Sequence, residues 1–350
     1  MTSAVLQAEA DQASLAFHVA LTQIGVGTVE DALKLWAGVP PTRTAATSGA
    51  WLARAVHLVM TRRARSRELA LAYYRLVRAL RTGSTIADPR KPEPLYVSLN
   101  MLRREFTALA GTQSDSKRAL RPDDRASAAA QAEEDPTDRI TVERLDHLDR
   151  EQQRLEREAE REATLVLDAL GPKNLERKLK AIDTDAPATD VDELREDAHR
   201  RAGTRQAAAA ERVAMDGARS TVWMLAQRDK RVVGYARISR TGTPCGWCAM
   251  LISRGAVYKS AEGSSSDLSF GDLDKYHDGC HCYAEPIYSR EQFDNSPLTA
   301  LNRRYKAEWK SHIADRGFKG KAALTEWRRR IRQEQRDAAR LAHRRPGDAA

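Results

Sequence analysis

Helical periodicity runs through most of the chain. Residues 4–37 have amphipathic spacing, clearest in "VEDALKLWAGV", and the Pro/Thr/Ser/Gly stretch at 40–50 ends it. From Trp51 to Arg81 one apolar stripe (Leu52, Val56, Val59, Met60) leads to another (Leu69, Tyr73, Leu76, Val77, Leu80), with a basic patch at 61–67 between them. "DPRKPEP" at 88–94 stops that helix, and Leu95, Leu99, Leu102, Phe106 and Leu109 predict a new one over 95–111. Tyr73, Tyr74, Tyr96 and Phe106 read as core aromatics.

Residues 112–138 are polar, charged and poor in large apolar side chains, as expected of a linker. A highly charged helix is predicted next, with Leu145, Leu148, Leu155, Ala159, Leu165 and Leu170 among Glu and Arg three or four apart. Past Gly171-Pro172 and a loop at 183–189, a long Ala-rich helix is predicted from Val191 to Gln227. Then the pattern alternates. Strands are predicted at 231–239, 255–260 and 282–289, the last at an edge because it contains Pro286, with a loop at 261–272. Helical spacing resumes in Leu298, Leu301, Tyr305, Trp309 and His312, and again in Leu324, Trp327 and Ile331, before a loose end. The expected organisation is an N-terminal helical region (1–111), a flexible linker (112–138), long helices (139–228), a strand-rich module (229–290) and a basic helical tail (291–350). The fold class is mainly α, an elongated multi-helix architecture with one small α+β module.

Composition agrees with extended helices more than with a compact enzyme. Charged residues are 31%, aromatics 6%, and mean hydropathy is −0.60. No apolar run of membrane-spanning length occurs, and the first residues lack the basic-then-apolar order of a secretory signal. The expectation is a soluble protein made in a reducing cytoplasm, with no membrane partner. The net charge of +9 is concentrated at one end, since residues 301–350 hold 15 Lys and Arg against 6 Asp and Glu. Such a segment suits phosphates or an acidic protein surface. The candidate phosphate contacts are Arg303, Arg304, Lys306, Lys310, Arg328, Arg329 and Arg330. The alternative is an ordinary solvated helix.

All four cysteines fall in one short window: "TPCGWCAML" holds Cys245 and Cys248, and "KYHDGCHCYAEP" holds His277, Cys280, His281 and Cys282. Cys-x2-Cys in a tight turn is half of a tetrahedral zinc site, and Pro244 and Gly246 suit that turn. Two cysteines one residue apart on a strand share a face, so Cys280 and Cys282 can supply the other half. The favoured reading is a structural zinc on Cys245, Cys248, Cys280 and Cys282, with His277 as a competing or supporting ligand and His281 pointing away. Disulfides and unmetallated thiols are the alternatives. A small three-stranded module buries little apolar surface, which is why such modules use staples. Four thiolates leave no open position for water, so no catalytic residue is nominated. The phosphate-binding and nucleophile-elbow motifs are absent. So is the His-x-Glu followed by Pro-Cys-x-x-Cys of zinc deaminases.

At these residues the chain resembles the MuF-type minor head (head morphogenesis) proteins of tailed bacteriophages, above all those of actinobacterial phages. Cys245, Cys248, Leu251, Gly255, Val257, His277, Cys280 and Cys282 follow the family's order. His281 stands where a basic residue is usual, and the likeness covers about residues 200–290. The resemblance implies a virion component inside the capsid near the portal, assembled in the host cytoplasm. It further implies the portal and major capsid proteins as partners, and roles in assembly, DNA packaging or delivery. Relatives fused to maturation proteases or toxins exist, but no Ser/His constellation supports carrying those activities over. Two other classes stand beside this reading: a binder of packaged double-stranded DNA acting through the basic tail, and a zinc-dependent nuclease or hydrolase. None of these readings calls for a small-molecule substrate.

Overall fold

The computed structural model describes residues 3–41, 48–111, 138–182, 187–239, 244–258 and 276–343. The linker expected at 112–138 therefore lies, but for Asp138, outside the described residues. The chain divides into two compact units, residues 1–228 with 276–280, and 229–275 with 281–350.

In the first unit the elements are α1 (Ser3–Ala37), α2 (Gly49–Thr82), β1 (Ser84–Ile86), β2 (Tyr96–Ser98), α3 (Leu99–Ala110), β3 (Arg139–Glu143), α4 (Leu148–Leu170), α5 (Pro172–Leu179) and α6 (Ala188–Arg228). The long helices α1, α2 and α6 pack on one another, and α4 and α5 add Ala163, Leu167 and Leu175 to their core. Alanine and glycine on α6 set how close they come. A side chain at Gly203 would overlap the Trp36 ring, whose Nε1 donates to His199 O at 2.9 Å. A Cβ at Gly217 would stand 2.5 Å from the Arg63 carbonyl oxygen and from Ser66 Oγ, which donates to Ala214 O at 2.6 Å. Arg63, from the basic patch at 61–67, is itself buried, paired with Glu156 at 3.1 Å and donating to Val213 O.

A small sheet on this unit differs from the sequence expectation. Residues 96–98 and 139–143 are strands where helices were predicted, and the helices begin later, at Leu99 and Leu148. The order is β1-β3-β2, with β1 parallel and β2 antiparallel to β3. Two arginines of α2, fully shielded from water, hold it from below. Arg75 donates to Ile86 O at 3.1 Å and pairs with Glu93 at 2.9 Å and Glu105 at 2.8 Å. Arg78 reaches Ser84 Oγ at 2.9 Å and Glu143 at 2.5 Å. Buried guanidinium groups are tolerated only when paired in this way.

In the second unit are β4 (Gly234–Ile238), α7 (Gly246–Ser253), β5 (Ala256–Tyr258), β6 (Tyr283–Ile287), α8 (Arg290–Asn295), α9 (Ala300–Trp309) and α10 (Gly320–His343). The sheet is antiparallel in the order β5-β4-β6, which leaves Pro286 on an edge strand. The C-terminal helices cover it. Asn302 on α9 donates to Arg237 O at 3.0 Å and Ile252 O at 3.3 Å, binding the central strand to the end of α7. Trp327 of α10 is fully buried, edge-on to Tyr305 and Trp309 at 5.6 and 5.2 Å. A π-helical turn at Lys310–Ala314 follows α9. No described helix is long and apolar enough to cross a membrane.

Gly217→Ala tests the close approach of α2 and α6. Helix propensity alone favours alanine by nearly 1 kcal/mol. The Arg63 carbonyl leaves no room, so a net loss of roughly 1–3 kcal/mol is expected, read as a lower denaturation midpoint. A rise in the midpoint would contradict the packing.

Candidate metal centre

The first half of the centre is the mouth of α7. Cys245 is extended, with φ −60° and ψ 158°, and caps the helix. Its Sγ accepts the Cys248 amide at 3.4 Å, and its carbonyl accepts from Ala249 at 2.8 Å. The Cys-x2-Cys segment is thus the first turn of a helix, not an isolated turn, and the spacing of three places both sulfurs at one helix end. Helix α10 lies against this corner. Gln335 Nε2 donates to Pro244 O at 3.1 Å, and a Cβ at Gly246 would sit 3.0 Å from Arg328 Cγ. Arg237, fully buried on the central strand, brings Nη1 to 4.0 Å from Cys248 Sγ.

The second half is the turn His277-Asp278-Gly279-Cys280. Cys280 N donates to His277 O at 3.1 Å, and Gly279 has φ +70°, a conformation that suits glycine. Two arginines of α6 grip this turn. Arg212 Nε donates to Asp278 at 2.8 Å, and buried Arg219 donates to Cys280 O while its guanidinium lies 4.0 Å over the Tyr276 ring. Burial works against the charge of Arg219. Asp216, Tyr276 and Cys280 more than offset it, so its pKa is raised. Neither arginine was nominated from sequence. They lie some sixty positions upstream in a helix dense with charge, and only the fold singles them out.

The sequence-nominated donors fall into two overlapping groups. The sulfurs of Cys248, Cys280 and Cys282, all buried, lie within 4.8 Å of one another. So do the ligand atoms of half-buried Cys245, buried Cys248 and exposed His277. Cys248 is common to both, and no disulfide joins any of the four cysteines. Thiolates on a tetrahedral zinc stand about 3.8 Å apart, inside the 4.8 Å that bounds each group, and Cys245 is not grouped with Cys280 or Cys282. Soft sulfur with one imidazole is the donor chemistry zinc takes. His281 belongs to neither group.

The basic residues nominated for phosphate are mostly engaged within the chain. Arg304 pairs with Glu334 at 2.6 Å, Lys310 with Asp315 at 2.9 Å, Arg329 with Glu326 at 2.6 Å and Arg330 with Glu308 at 2.9 Å. Arg303 donates to Phe293 O, Ser296 O and Thr299 Oγ1, which closes the chain before α9. Lys306 and Arg328 are exposed.

Residues 186–308, from α6 to α9 and so across the whole cysteine window, match the family model described as VG15 protein. Over this segment the chain is similar to VG15 proteins. The "Gene 15 protein" of Mycobacterium phage D29 is 28% identical over 138 residues, 33% of this chain and 48% of the relative. The match thus spans about half the length of that relative. Both findings support the likeness to phage head proteins read from the cysteines. No solved structure matches the chain.

In a chelating, reducing buffer Cys245 should be alkylated well before Cys248, Cys280 and Cys282, as followed by mass spectrometry. Arg219→Met should bring Cys280 forward in that order by freeing its turn. An unaltered Cys280 rate in the variant would contradict the grip of α6 on residues 276–280.

Proposed function

We propose that this protein is a phage minor capsid (head morphogenesis) component, associated with the portal inside the head, that aids assembly, DNA packaging or delivery. The observation that carries the reading is the VG15 segment with its ordered Cys-x2-Cys and His-x2-Cys-x-Cys, whose donors converge. Cys245, Cys248, Cys280 and Cys282 would hold a zinc ion, with His277 as a competing ligand. When bound, the ion supplies a structural cross-link. Arg237 and Arg219 place positive charge beside the thiolates, which offsets the negative charge of a four-sulfur site. The role is architectural, with no substrate turned over.

A protein partner is also supported by α1. Its solvent side exposes Val5, Leu15, Val19, Val26 and Leu33, and four of these five are separated by multiples of seven. No charged residue lies between Asp11 and Glu30. An apolar stripe of that length on a water-facing helix suits docking on another protein.

The full-length chain, co-expressed with the portal protein of its own phage, is expected to co-purify with it. In purified heads it should be present in far fewer copies than the major capsid protein, as counted by quantitative mass spectrometry. Complete absence from the particle would overturn the reading.

A further inference from the structure

The C-terminal helices carry a row of cations that stands out once their ion pairs are accounted for. Of the acids described on this hairpin, Glu308, Asp315, Glu326, Glu334 and Asp337 each face an arginine or lysine: Arg330, Lys310, Arg329, Arg304 and Arg340 respectively. Of the cations left over, Lys306 sits on α9 and Lys319 just before α10, but four fall together. Lys321, Arg328, Arg332 and Arg336 are exposed and fall on one stripe of α10, and none has an acidic partner among the described residues. At 100° per residue they lie within about 80° of one another on the helix, away from the side that buries Ala323, Trp327 and Ile331. At 1.5 Å per residue the stripe is about 22 Å long. Arg332 and Arg336 also border a groove of about 910 Å3, which His312 and Arg316 line from the π-helical turn and just after it; its carboxylates, Glu308, Glu326, Glu334 and Asp337, are those already paired. Arg316 and His312 act on the Glu326 carboxylate, which Arg329 also pairs. A π-turn is rare and is often found where a helix is put to use.

We infer that this stripe, Lys321, Arg328, Arg332 and Arg336, binds the phosphate backbone of double-stranded DNA without reading its bases. Guanidinium groups match phosphate oxygens in a fork, and a row of them one helical turn apart meets a linear polyanion better than a compact acidic site. Charge placement alone carries the inference, which stands whether or not the cysteines bind metal. It also moves the contact away from most of the arginines that look most basic in sequence. Arg304, Arg329 and Arg330 are each in an ion pair, whereas Arg332 and Arg336, which are not, look no different in the sequence.

The test is fluorescence anisotropy of a labelled random-sequence duplex with the full-length chain, titrated between about 50 and 200 mM salt. Binding should weaken steeply with salt. Arg328→Gln, Arg332→Gln and Arg336→Gln together should cost at least tenfold in affinity and lower the log–log salt slope by about 2.7, since each lost phosphate contact removes about 0.9. Arg304→Gln, Arg329→Gln and Arg330→Gln together remove the same charge and should lower that slope far less. Circular dichroism checks that both variants fold. Failure of the wild-type chain to bind the duplex overturns the inference, as does a preference for an acidic peptide over DNA, or an equal loss in the two triple variants.

Discussion

Three buried thiols within 4.8 Å of one another, with no disulfide among them, are the constraint on which the rest depends. A thiol gains little from another thiol. Its ordinary place in a core is as a small apolar side chain, and nothing in apolar packing gathers all the cysteines of a 350-residue chain at one point. Deprotonated, the same sulfurs would repel. A shared cation would make their convergence favourable, and the metal proposed above rests on that. A helix mouth sets Cys245 and Cys248, a glycine turn sets Cys280, and arginines stand beside Cys248 and behind Cys280.

The second unit shows why a staple is useful there. Its sheet consists of strands of five, three and five residues, and the central one places Arg237 out of contact with water. Burying a guanidinium costs more than a short strand's hydrogen bonds return, unless counter-charges are held nearby. The C-terminal helices add the large apolar contacts that the sheet lacks, chiefly through Trp327, Tyr305 and Trp309. They also leave a basic edge in water, so one pair of helices both closes the core and presents charge.

What could be read from the sequence was set by local pattern. Alternation in 231–239 and Pro286 identified the strands and the edge, and the stripe through Tyr305, Trp309, Trp327 and Ile331 identified the helices that cover them. The β1-β3-β2 sheet was invisible, because its strands of three to five residues are far apart in sequence and rest on Arg75 and Arg78 of a helix. Helix α7 was missed because "GWCAMLIS" is apolar on every side and shows no period. Which arginines of the tail are occupied was equally hidden, since Arg304 and Arg330 find their acids 30 and 22 residues away across the hairpin.

The central claim is a metal ion on the cysteines, and elemental analysis of the full-length chain, purified without added metal or chelator, tests it most directly. About one zinc per chain is expected. Cys248→Ser should lose it, because Cys248 is common to both donor groups, and His277→Ala should retain it. A wild-type protein that folds with no bound metal and four alkylatable thiols would contradict the account.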